Sequence, residues 1–160
     1  MSKDWLEMQL AQELQEGEQE DAWTQFSRGV QYAQKQDMNK AVACYYKAAK
    51  QGLKEAQNNL AGMYAQGQGV TQDLNQAIVW YHKAAEQGYA HSQYNLGKIY
   101  RTGLGVALDL AQAVVWYRKA AEQGHVEAQY NLSVMYKHGW GVAQDLIPVS
   151  YTHLTLPTKA

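Results

Sequence analysis

Five histidines, three Gly-x-Gly pairs, one cysteine and two sets of aromatic and basic residues at helical spacing are the parts of this 160-residue chain that could carry chemistry. The histidines, His82, His91, His125, His138 and His153, show neither a His-Glu-x-x-His string nor i, i+4 pairing, so the sequence predicts no metal site. The pairs Gly67/Gly69, Gly103/Gly105 and Gly139/Gly141 follow helical rather than strand patterns and lack a third glycine, which makes them turns and not phosphate cradles. A lone cysteine forms no internal disulfide. Cys44 also fills the slot held by Trp80 and Trp116 in later copies, the place of a buried small apolar residue. Carboxylates fall mainly at helix caps and ends, leaving no pair for acid and base work, and the expectation is a chain that is not an enzyme and needs no cofactor. Tyr94, Lys98 and Arg101 stand at i, i+4 and i+7 and share a helix face; Tyr130, Val134 and Lys137 repeat that arrangement 36 residues later.

The interval of 36 runs through the chain. Ala41, Ala77 and Ala113 are spaced by it, as are Leu60, Leu96 and Leu132, Tyr64, Tyr100 and Tyr136, and Asp73, Asp109 and Asp145. One unit has been copied, which predicts a stack of small modules. Within a unit, Ala56, Leu60, Met63 and Tyr64 make one stripe of a helix over 54–66, helix A, with Gln57, Asn58 and Gln66 off it. Gly67 ends that helix, Val70 can fold back onto the layer, and Asp73 caps a second helix with Gln76 three residues on, repeated as Asp109 and Gln112. Helix B, about 74–87, places Ala77, Trp80, Tyr81, Ala84 and Ala85 on one face and stops at Gly88. Neither helix is long enough to persist alone, so each depends on its neighbours.

The chain is 46% hydrophobic and 18% charged, a globular composition dominated by Ala and Tyr with one Phe. No apolar run approaches the roughly 20 residues of a membrane helix, and the first residues lack the apolar stretch of a signal peptide, so the expected location is cytoplasmic without membrane contact. Residues 1–21 carry one Lys against seven acids, whereas 22–160 carry thirteen basic residues against eight acids. The acidic stretch contains an amphipathic helix over 4–16 with Trp5, Leu6, Met8, Leu10 and Leu14, read as a cap on the first helix pair or as an internal competitor for a basic surface.

The string Gly-x-Gly-Val-x-x-Asp-x-x-x-Ala-x-x-Trp-Tyr-x-Lys-Ala-Ala-Glu-Gln-Gly, present at 67–88 and 103–124 and begun again at 139–145, resembles the Sel-one-like repeat, a relative of the tetratricopeptide repeat. The opening unit instead has the shorter tetratricopeptide spacing, with 9 residues from Tyr32 to Ala41 against 13 from Tyr64 to Ala77. The resemblance implies an all-α, right-handed solenoid of antiparallel helix pairs over 22–147, in units of about 22–52, 53–88, 89–124 and an incomplete 125–147, with helices A lining a concave side that binds other proteins. It places Phe26, Asn58, Tyr94 and Tyr130 in one row of that side, then Val30, Gly62, Lys98 and Val134, then Ala33, Ala65, Arg101 and Lys137. The expected partner is a protein or acidic peptide, held by aromatic area and directed by the cations. Asn59, Asn95 and Asn131 form a neighbouring ladder that serves either a ligand's backbone or bonds between units, the structural role being favoured. Cysteine-rich relatives linked to β-lactam binding or hydrolysis are an alternative, disfavoured by the single Cys44; an RNA-binding repeat is another, supported only by Tyr94, Tyr130 and the nearby cations.

Copying fails after Asp145, where Val149, Thr152 and His153 stand in for Ala113, Trp116 and Tyr117. Residues 148–160 resemble translated adapter sequence and are expected to be disordered or weakly extended, the natural protein continuing with further units. On that reading the last helix A lacks its helix B. Leu132, Met135 and Tyr136 would then be partly uncovered and open to self-association.

Overall fold

The computed structural model describes residues 4, 5, 8 and 20–142, and among them every regular element is a helix. Most of the acidic segment and the whole of 148–160 lie outside the described residues, so the expectations for both ends do too. Residues 20–142 hold α1 (Ala22–Gln34), α2 (Met38–Lys50), α3 (Lys54–Gln66), α4 (Leu74–Glu86), α5 (Ala90–Thr102), α6 (Leu110–Glu122) and α7 (Val126–His138). Odd-numbered helices are of type A and even-numbered ones of type B. The chain divides into two compact units, Met1–Gln87 and Gly88–Ala160. In the first, α1 packs on α2, α2 on α3 and α3 on α4; in the second, α5 packs on α6 and α6 on α7.

The boundaries follow local chemistry. Each B helix starts at an aspartate whose carboxylate accepts a backbone N–H three residues on: Asp37 from Lys40 at 3.3 Å, Asp73 from Gln76 at 3.0 Å and Asp109 from Gln112 at 2.9 Å. The A helices α3, α5 and α7 end on Gly67, Gly103 and Gly139, all in the left-handed conformation that glycine adopts without steric penalty. Val70 then folds back and is 4% exposed, as its position in the turn predicts. Between α1 and α2 the connection is only 35–37, in keeping with the shorter first spacing, and Gln36 there takes φ 60°.

Contacts inside each repeat are set by a small residue facing a ring. Gly29, Ala61, Gly97 and Ser133 hold the eighth place of their A helices, and Tyr45, Tyr81 and Tyr117 the eighth place of the B helices. A Cβ on Gly29 would lie 2.8 Å from the Tyr45 ring, and one on Gly97 would lie 2.5 Å from the Tyr117 ring. In the second unit Tyr117 joins Ala113, Val114, Ala120, Leu132, Met135 and Tyr136 in one buried cluster. This corrects the expectation of an uncovered last helix, because Leu132, Met135 and Tyr136 are all buried with residues of α6. The exposed apolar residues of that region are instead Val126, Tyr130 and Trp140.

Contacts between repeats include a polar set that helical periodicity assigned to the outside. Gln25, Gln57, Gln93 and Gln129 are each fourth in an A helix. Gln57, expected off the buried stripe, is only 4% exposed. Its amide donates to the Ala49 carbonyl at the end of α2 at 3.2 Å and accepts from Gln87, the C-cap of α4, at 2.8 Å. Gln129 repeats the first bond with Ala121 at 3.1 Å, and Gln123 repeats the second with Gln93 at 2.6 Å. At Gln57 an amide is tolerated because both its donor and its acceptor functions are met.

Gly97→Ala should destabilise the protein by about 1 to 3 kcal/mol in urea unfolding, because the added methyl overlaps a fully buried ring. Gly62→Ala has 3.7 Å to the Tyr81 hydroxyl and should instead stabilise by about 0.5 to 1 kcal/mol, the usual gain inside a helix. Gln57→Ala removes a bond between repeats and should lower the unfolding free energy by about 1 kcal/mol, read from the same urea transition.

Candidate interaction surface

The aromatic and basic residues singled out on α5 come together around Tyr117. Tyr94 tilts against that ring at 5.8 Å between centroids, the Lys98 ammonium stands 5.1 Å above the Tyr94 ring, and Arg101 Nε donates to the Tyr117 hydroxyl at 3.3 Å. Successive turns of α5 position these three side chains, and α6 presents the ring that anchors them. Burial raises the pKa of Tyr117, with Arg101 acting in the opposite direction, so the phenol stays neutral and accepts from the guanidinium. That bond uses one of the five guanidinium donors. Lys98 is exposed, and Tyr94 and Arg101 are half-buried.

On α7, Tyr130 is 54% exposed, Lys137 is exposed and Val134 is half-buried. In the first unit, Phe26 packs edge-on to Trp23 and tilts against Tyr45 at 5.7 Å, so much of its ring serves the α1–α2 contact. Asn58 is half-buried, with its amide 3.5 Å from the Asn59 side chain.

The asparagine ladder is not uniform. Asn59 is hydrogen-bonded to the Tyr45 hydroxyl, which ties α3 to α2. Asn131 donates to the Glu127 carbonyl at 2.8 Å, within its own helix. Asn95 is half-buried.

The second unit also holds a cluster that sequence spacing did not reveal. His125 precedes α7, and its Nε2 lies 3.2 Å from Nδ1 of His91 at the start of α5. Tyr94 stacks on His125 with centroids 4.6 Å apart and an interplanar angle of 21°, and Tyr89 packs against His91 at 5.5 Å. Nδ1 of His125 faces both the Ala128 N–H, at 3.4 Å, and a Glu127 carboxylate oxygen, at 3.3 Å. Burial and then His91 push the His125 pKa down, against a smaller opposing effect of Glu127. The two histidines are 34 residues apart, outside any local motif; their juxtaposition arises because the starts of α5 and α7 are brought together.

Among the described residues no helix is long and apolar enough to cross a membrane. Cys44 is buried, as its place in the repeat predicts.

The Sel1 repeat family model matches residues 26–53, 54–89, 90–125 and 126–147. No curated protein matches the chain. Among solved structures, a Sel1 repeat protein from Oxalobacter formigenes is 37% identical, with a TM-score of 0.74 over 79% of this chain and 53% of that one. The protein c5321, a protective antigen present in uropathogenic Escherichia coli strains and displaying an SLR fold, is also 37% identical, with a TM-score of 0.75 over 88% of this chain and 30% of that one. The chain thus spans about half the length of the first and under a third of the second. Four matched repeats, helices throughout the described core and these two folds together mean that the chain is an all-α helical-repeat solenoid and belongs to the Sel1 repeat family.

Proposed function

We propose that the chain is an adaptor that binds a protein partner through the exposed sides of its A helices. Sel1 repeats generally mediate protein–protein interaction, and the arrangement on α5 and α7 suits that use. The observation that carries the reading is the combination of Tyr94, Lys98 and Arg101 on one face of α5 with an exposed Tyr130 beside Val134 and Lys137 on α7. A tyrosine exposed over half its surface has area to bury against a partner at little conformational cost. The three cations give direction, favouring an acidic segment or a terminal carboxylate. In the first unit, taken by itself, Phe26 and Asn58 are the candidates for partner contact, while the Asn59 bond to Tyr45 is structural.

Positions that vary between repeats support the same reading. Across the register of Tyr94 stand Phe26, Asn58 and Tyr130, while the residues that face the B helices keep their small or tyrosine character. A scaffold under one packing constraint is free to change the side it does not bury.

Replacing Lys98, Arg101 and Lys137 together by Ala should lower the urea midpoint only by what the lost Arg101–Tyr117 bond accounts for, and weaken an acidic peptide or captured partner at least about tenfold, equivalent to roughly 1.4 kcal/mol. Fluorescence anisotropy against peptides with acidic C-termini checks this directly, with Lys83→Ala as a control on α4. Equal binding by the triple variant and the parent protein would remove the basic residues from the interface.

A further inference from the structure

We propose that His91 and His125 form a binding site for a divalent transition-metal ion of the zinc class, with Glu127 orienting His125. Two imidazole nitrogens held by one tetrahedral ion at about 2.05 Å each stand about 3.3 Å apart. Here His91 Nδ1 and His125 Nε2 are 3.2 Å apart. With roughly 1.2 Å from nitrogen to ring centre, two imidazoles aimed at one tetrahedral ion have centroids about 5.3 Å apart, whereas a straight N–H···N bond of 3.2 Å would separate them by about 5.6 Å. The observed separation is 5.0 Å, with the rings inclined at 78°. The nitrogen separation suits two donors on one ion, and the ring separation is nearer to that arrangement than to a straight hydrogen bond.

The surroundings complete the chemistry. Without an ion, His125 Nδ1 accepts from the Ala128 N–H and its Nε2–H donates to His91. With one, both facing nitrogens give their lone pairs to the ion, and the His125 proton resides on Nδ1, where Glu127 Oε2 waits at 3.3 Å. A carboxylate on the far nitrogen of a ligating imidazole fixes its tautomer and raises its donor strength. The proton count of His125 does not change, only its position. Tyr94 and Tyr89 hold the two rings from either side, so little ordering remains to be done on binding.

Imidazole donors select zinc, nickel, copper or cobalt over magnesium and calcium. Among the described residues no group of three His, Cys, Asp or Glu is placed to hold an ion, so the other coordination positions belong to water or to a donor from beyond those residues. His91 lies on the exposed side of the pair, which gives the ion access. Weak, exchangeable binding in the micromolar range is the consequence.

Calorimetric titration of the full chain with Zn2+ should show one ion bound. His91→Gln, at an exposed position, should lower that affinity at least tenfold while lowering the thermal midpoint of the metal-free protein by no more than the loss of one exposed hydrogen bond would. Glu127→Gln should cost about 10-fold or more through loss of the orienting carboxylate. His138→Gln, on the same unit, should have no effect. Imidazole 15N spectra should show the His125 proton moving from Nε2 to Nδ1 as Zn2+ is added, a change that a purely structural histidine pair would not make. Undiminished affinity in His91→Gln, no binding at micromolar Zn2+, or an unchanged His125 tautomer would overturn the proposal.

Discussion

Everything in this chain rests on how closely an A helix can approach its B helix. The eighth residue of the A helix is small throughout, and in the first and third repeats it must be glycine, because a tyrosine ring of the B helix occupies the space that even a Cβ would need. That approach sets the depth of each layer, and the depth in turn decides which residues end in the cluster of Ala113, Tyr117, Leu132 and Tyr136. Dispersion between a ring and a bare backbone is individually weak but dense here, and it replaces the large central core that thin helical layers do not have. The interaction surface is a by-product of the same geometry. With Tyr117 fixed by Gly97, its hydroxyl becomes the anchor for Arg101 and its ring the backing for Tyr94.

Lysines decorate the B helices in an equally regular way. Lys83 stands 4.2 Å over Trp80 and Lys119 stands 4.3 Å over Trp116, each pair one turn apart on its helix. The stems of these lysines shield indole faces while their ammonium groups stay near water. Cys44 stands in place of the indole in the first repeat. In α4 and α6 the indole is therefore covered by the helix's own cation, whereas Tyr130 on α7 is 54% exposed.

Much of this architecture is legible in the sequence, because copying at 36 residues turns a helical-wheel guess into a repeated measurement. The stripe of Ala56, Leu60, Met63 and Tyr64, the aspartate caps and the glycine stops all fall where periodicity puts them. The failures share a cause. Gln57 is polar and was assigned outward, yet an amide costs little inside when a carbonyl and a second amide meet it. Leu132 and its neighbours were expected to need a following helix, whereas α6 already shares their buried cluster. The spacing of His91 and His125 matches no local motif, and spacing along the chain does not report which helix starts are adjacent in space. On the candidate surface, sequence placed Tyr94, Lys98 and Arg101 on one face but could not supply Tyr117, the residue from the next helix that organises them.

The paired glutamines have an evolutionary corollary. Gln57 meets Ala49 and Gln129 meets Ala121 across different joints with bond lengths that differ by only 0.1 Å, 3.2 against 3.1 Å. The second and fourth modules consequently carry the same plug, and the modules before them the same socket. A duplicated segment inserted at any such joint finds a ready-made mate on both sides, so the family can lengthen or shorten its arrays by recombination without inventing a new connection.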